Sequence, residues 1–165
     1  MSNIDRVYVD IESELTHIFS ELGMDDPKYH RGSAWLKSLV LIAIRYPTAW
    51  TQGHLEYIGN IHNITRERVR IILWRTAAEK WSYQCWGKLC EELSYSVEPH
   101  FAIVSKPNAH EFISLLADNL RIKYKIQPQH EGFAWSNVSV TVIPEQSAEG
   151  NESAVLVDDD DFIDI

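Results

Sequence analysis

Asn63-Ile64-Thr65-Arg66-Glu67-Arg68-Val69-Arg70, continuing without Gly or Pro to Trp81, joins a helix N-cap to four arginines and an apolar stripe. A capping oxygen on Asn63 or Thr65 satisfies an orphan N–H of the first turn, so the spacing predicts a helix that runs to Trp81. Val69, Ile72, Leu73, Thr76 and Lys80 recur at three- and four-residue steps and mark one flank for the core. The other flank carries Arg66, Glu67, Arg70, Ile71, Trp74 and Ala78, with Arg68 and Arg75 at its edge, and is expected to face outward. Just upstream, Leu55, Ile58 and Ile61 mark a shorter helix, and His62-Asn63 fits the tight turn of a helix-turn-helix. An ordinary corner of two helices with a charged, solvated face has the same pattern.

Working towards the N-terminus, Ile4, Val7, Ile11, Leu15, Ile18 and Leu22 step with helical period up to Gly23, a natural left-handed stop. Residues 24–30 read as a polar link. Residues 33–46 are apolar almost all round (Trp35, Leu36, Leu39, Val40, Leu41, Ile42), which predicts a central helix ended by Pro47. Towards the C-terminus, Tyr83, Trp86, Leu89, Cys90 and Leu93 suggest another short helix, and residues 94–105 a crossing loop or extended piece. Asn108-Ala109-His110-Glu111 has capping-box spacing, and Phe112, Leu115, Leu116 and Leu120 give a last amphipathic helix with closing cations. The fold class expected is all-α, with about six helices over residues 1–127. Residues 128–165 form an extension, in which 135–143 with Val138, Val140 and Val142 read as a strand, 154–157 as its hairpin partner, and the end as an acidic tail.

The chain has 165 residues, 45% of them hydrophobic, enough for one buried core. Its net charge of −9 is local: of 24 acids and 15 bases, nine acids and no base fall in 131–165, leaving fifteen of each before it. Basic patches at 62–75 and 121–125 therefore survive within a screening length of about 8 to 10 Å. No early apolar run resembles a signal peptide and none spans a bilayer, so a cytoplasmic protein is expected. Cys85 and Cys90 are spaced as neither redox pair nor zinc knuckle and are expected to be small buried hydrophobes. The seven histidines lack metal-ligand spacing, and phosphate loops and nucleophile elbows are absent, so no catalytic site, metal or cofactor is expected and the chain is not read as an enzyme.

Leu22-Gly23, Arg31-Gly32, Trp35-Leu36-Lys37, then Asn63, Thr65, Arg68-Val69 and Ala77 to Trp81, and finally Phe112-Ile113, Ala117-Asp118 and Leu120-Arg121 occur in a collinear order. This order, over roughly residues 13–126, resembles the DNA-binding effector domain of the response regulator that initiates sporulation in endospore-forming bacteria. The resemblance implies six helices, docking of residues 65–81 in the major groove, and tandem pairing of domains, hence a homodimer on DNA. It also exposes two departures. The effector normally follows a phosphoacceptor receiver domain, for which this chain has no room. Where the family reads bases with two arginines, this sequence has Ile71 and Trp74, with Arg70 and Arg75 alongside.

Two functions follow as expectations. In the first, a stand-alone regulator binds double-stranded DNA through Thr65, Arg66, Arg68, Arg70, Ile71, Trp74 and Arg75, with Lys106, Arg121, Lys123 and Lys125 along the backbone. In the second, the same fold has become a protein-binding module that antagonises a host factor. Ile71 and Trp74 then anchor the partner, and the tail, with Asp160, Asp161, Phe162 and Ile163, acts as a docking peptide or DNA mimic.

Overall fold

The computed structural model describes residues 3–96 and 106–138, and the expected tail contacts and the strands at 139–143 and 154–157 lie outside them. Among the described residues the fold is all-helical: α1 (Asn3–Glu21), α2 (His30–Arg45), α3 (His54–His62), α4 (Arg66–Glu79), α5 (Tyr83–Leu93) and α6 (Ala109–Tyr124). Short 3-10 turns precede α2 and α3 and follow α6, at Pro27–Tyr29, Ala49–Thr51 and Trp135–Asn137. None of the helices is long and apolar enough to cross a membrane.

The central position of α2 follows from its composition. Trp35, Leu36, Leu39, Val40, Ala43 and Ile44 are sealed from solvent, and α2 packs on both α4 and α6. It begins at His30 rather than 33, because the 3-10 turn at Pro27–Tyr29, with Asp26 accepting from Lys28 N–H, feeds straight into it. Tyr29 is then pinned to α4 by its hydroxyl, which donates to Glu79. Gly32, in the first turn of α2, permits close approach to α4: a Cβ there would lie 1.9 Å from Thr76 Oγ1 and 3.2 Å from the Ile72 carbonyl oxygen.

α1 buries Ile11, Leu15 and Ile18, with Leu22 just past its end, and stops where expected. Gly23 takes φ +79°, its N–H donating to the Ser20 carbonyl while Met24 N–H reaches back to Phe19. This double closure carries Met24 into the core, correcting the reading of a polar link. The capping box of α6 is complete: Asn108 accepts from Glu111 N–H at 2.8 Å, and Glu111 accepts from Asn108 N–H at 2.9 Å. Cys85 and Cys90 are half-buried and not joined in a disulfide, less enclosed than expected; Cys85 Sγ donates to the Glu21 carbonyl at 3.3 Å.

Residues 129–138 pack back on the helices. Gln129 N–H donates to the Arg45 carbonyl, Phe133 meets Tyr46, and Trp135 stacks on Tyr57 with its indole N–H donating to the Gln52 carbonyl at 2.6 Å. The strand expected from 135 is therefore corrected at its start: Trp135–Asn137 is a 3-10 turn, set by the docking of one indole ring.

On α1, Glu14 gathers three donors: Tyr95 OH at 2.6 Å, Tyr124 OH at 2.8 Å and Lys123 Nζ at 2.9 Å. Burial and the bond to Glu14 push the Tyr124 hydroxyl up to about 12. Glu14→Gln removes the charge at constant shape and sets an amide N–H against a donor. It is expected to cost about 1 to 2 kcal/mol in urea unfolding and to move tyrosine ionisation to lower pH in a spectrophotometric titration.

Candidate nucleic-acid interface

α3 and α4 meet through the three residues Asn63-Ile64-Thr65. Asn63 closes α3 in the left-handed region (φ 56°), and both its N–H and that of Ile64 donate to the Gly59 carbonyl. Gly59 is required by that closeness, since a Cβ there would stand 2.7 Å from the Ile64 carbonyl oxygen. Thr65, extended at φ −77° and ψ 156°, caps α4 by accepting from Arg68 N–H at 3.1 Å. A short helix, a tight turn and a capped second helix therefore stand in the order of a helix-turn-helix.

The inner side of α4 is Val69, Ile72, Leu73, Thr76, Ala77 and Ala78, all buried. Ala78 was expected outside. It is covered as the chain leaves the helix, its carbonyl accepting from both Lys80 and Trp81 N–H. Lys80, expected on the core flank, is exposed, because the helix ends at Glu79 and its period no longer applies. In α3 Ile58 and Gly59 are buried outright; of the other two residues expected on the core flank, Leu55 is half-buried and Ile61 exposed.

The outer side presents Arg66 and Arg70, with side chains 64% and 57% exposed, and Trp74 at 41%. Ile71 and Arg68 are half-buried between the two sides. Sequence reading did not foresee that the two outer arginines face carboxylates: Arg66 pairs with Glu56 of α3 at 3.0 Å, and Arg70 pairs with Glu67 one turn earlier. The Arg70 hydrogen bond to Glu67 holds that carboxyl below its ordinary pKa. A three-residue spacing made the second pair legible, whereas the first joins two helices.

Other expected cations are turned to structural work. Arg75 is 13% exposed and donates to Glu79 at 3.1 Å; Glu79 also receives Tyr29 OH and lies 3.7 Å from Lys28 Nζ. Burial alone would raise the pKa of Glu79, but these donors bring it below its ordinary value. Arg121, 14% exposed, donates to the carbonyls of Ala43 and Ile44 and to Asp118, closing the C-terminus of α2. Lys123 is taken by Glu14, while Lys125 caps α6 in the left-handed region and is exposed. Lys106 is exposed just before α6, whereas Asp160, Asp161, Phe162 and Ile163 lie outside the described residues.

His54, the first residue of α3, packs edge-on against Trp50, and its Nδ1 lies 3.2 Å from the Thr51 carbonyl oxygen. Burial lowers its pKa below the ordinary 6.5, more than the Thr51 contact raises it. A base with a depressed pKa binds its proton more tightly when unfolded, so this stability is intact above about pH 6.5 and declines as pH falls from there towards the folded value. Thermal unfolding at pH 7.5 and 5.5 is expected to show a drop in Tm at the lower pH. The drop should be smaller in His54→Asn.

No family model matches the chain, and no solved structure matches it.

Proposed function

We propose that the protein is a DNA-binding regulator in which α4 enters the major groove, in the manner implied by its resemblance to the sporulation-initiation effector domain. The observation that carries the reading is the outer side of α4, where Arg66 and Arg70 stand in solvent on a capped helix presented by α3. Their ion pairs are exposed and screened by water and so contribute little, which lets phosphate displace the carboxylates. Arg75, Arg121 and Lys123 are engaged by Glu79, by the carbonyls of α2 and by Glu14, so this reading assigns the phosphate contacts to Arg66 and Arg70 first. With Ile71 and Trp74 in place of the family's two arginines, recognition differs from the family's site, and Ile71 is suited to a thymine methyl.

Fluorescence anisotropy of labelled mixed-sequence duplexes, titrated with the intact protein across a salt series, tests this directly. Binding that weakens steeply with salt is expected. No binding at the lowest salt would overturn the reading.

One observation favours the second reading, a protein-docking module that antagonises a host factor: an indole 41% exposed beside a half-buried isoleucine. An exposed aromatic ringed by arginines has the composition of an interface hot spot. Trp74→Ala separates the two: phosphate-driven DNA binding should change less than about threefold, while an anchor in a protein interface should lose about 2 kcal/mol or more.

A further inference from the structure

Where residues 126–138 lie back against α1 and α2, they leave two clefts of about 360 and 370 Å³. Both are lined by Tyr8 and Arg45. Leu41, Ile42, Tyr46, Phe133 and Val138 add apolar wall to the first, and Val7, Tyr124 and Ile126 to the second. Each is within the size range of small-molecule sites.

The polar groups at their junction are unspent. The Tyr8 hydroxyl oxygen is buried and has no hydrogen-bond partner among the described residues. A buried hydroxyl without a partner has lost its hydration uncompensated, so an acceptor brought to it is well rewarded. Burial raises the pKa of Tyr8, so the hydroxyl keeps its proton and donates. The Arg45 guanidinium sits 6.0 Å from the centre of the Tyr46 ring and forms no ion pair among the described residues, although Glu12 lines the same cleft. Glu12 is exposed, so water screens its charge.

One buried O–H donor and one guanidinium, on residues that line both clefts alongside apolar walls, select an acceptor-only anionic head on an apolar body. We propose that the Tyr8–Arg45 groove binds a small apolar carboxylate, the acid held by the Tyr8 hydroxyl and the Arg45 guanidinium and the hydrocarbon lying against Leu41, Ile42 and Phe133. The wall that closes the groove is the segment fixed by Gln129, Phe133 and Trp135, so occupation should tighten that segment on the helices. This site is separate from the outer side of α4 and stands whether or not that helix binds DNA.

Isothermal titration calorimetry of the intact protein with sodium octanoate tests it, with butanoate and octan-1-ol as probes of the two halves of the chemistry. Octanoate is expected to bind saturably with a Kd of roughly millimolar or tighter, with a negative heat-capacity change from apolar burial. Butanoate and octan-1-ol should each bind at least about tenfold more weakly. Arg45→Gln and Tyr8→Phe, the first at an exposed residue and the second retaining the ring, should each weaken octanoate about five- to tenfold, with Tm unchanged in the first and raised in the second, which removes an unpartnered buried hydroxyl. Absence of saturable heat, octan-1-ol binding as tightly as octanoate, or full octanoate affinity in both variants would each overturn the proposal.

Discussion

Gly32→Ala is expected to lower the unfolding free energy by about 3 kcal/mol, the upper end of what one added methyl costs in a packed interior. The new Cβ would sit 1.9 Å from Thr76 Oγ1 and 2.9 Å from Thr76 Cβ, and neither partner yields easily. Thr76 is β-branched and buried, with its hydroxyl bonded to the Ile72 carbonyl at 2.8 Å, and that carbonyl lies 3.2 Å from the new methyl. Relief therefore requires α2 and α4 to separate, which strips contact from Trp35 and Leu36 on one side and Ile72 and Leu73 on the other. Adding Thr76→Ala should recover part of the loss, so a double-mutant cycle by urea denaturation is expected to show a favourable coupling above about 1 kcal/mol. Additive effects would place the strain elsewhere.

Gly32 also shows which parts of the fold were legible in the amino-acid order. Features closed within one turn could be read directly: the Thr65 cap, the Asn108 and Glu111 box and the Gly23 stop each need only residues three to five apart. Arg31-Gly32 is an inexpensive dipeptide in sequence, and its meaning lies 44 residues on, at Thr76. Arg121 follows the same logic. It stands among the closing cations of α6, yet the carbonyls left open where Pro47 ends α2 draw it inward, and no local pattern names their donor. The alternation that suggested a strand from residue 135 fails at its start because one indole docks on Tyr57 and Gln52, a contact made across 78 to 83 residues.

The same distinction sorts the candidate interface. Which side of α4 faces outward was readable from the spacing of Val69, Ile72, Leu73 and Thr76, but its electrostatics were not. Four arginines in fourteen residues suggested a strongly basic surface. The fold instead sets Glu56 and Glu67 beside Arg66 and Arg70 and takes Arg75 into a bonded cluster with Glu79. The remaining outer surface is nearly neutral until an anion displaces the carboxylates, so any affinity for nucleic acid should be modest and sensitive to salt.

That balance gives the largest functional effect expected. Replacing Arg66 and Arg70 together with glutamine removes two phosphate contacts, each contributing about 0.9 to the slope of log affinity against log salt. At 0.1 M salt this corresponds to about 8-fold per contact, hence a loss of about 60-fold for the pair, with the slope flatter by about 2. Glu56 and Glu67 are left unpaired beside the DNA, so the measured loss should equal or exceed that figure. Glu56→Gln with Glu67→Gln is the converse: it frees both guanidinium groups and should tighten binding without steepening the slope by more than the two contacts already present. Because all four side chains are well exposed, neither double variant should shift stability appreciably, and Tm reports whether that holds. If the glutamine pair on α4 leaves both affinity and salt slope unchanged, phosphate contact by this helix is refuted, and any DNA binding by the intact protein must use another surface.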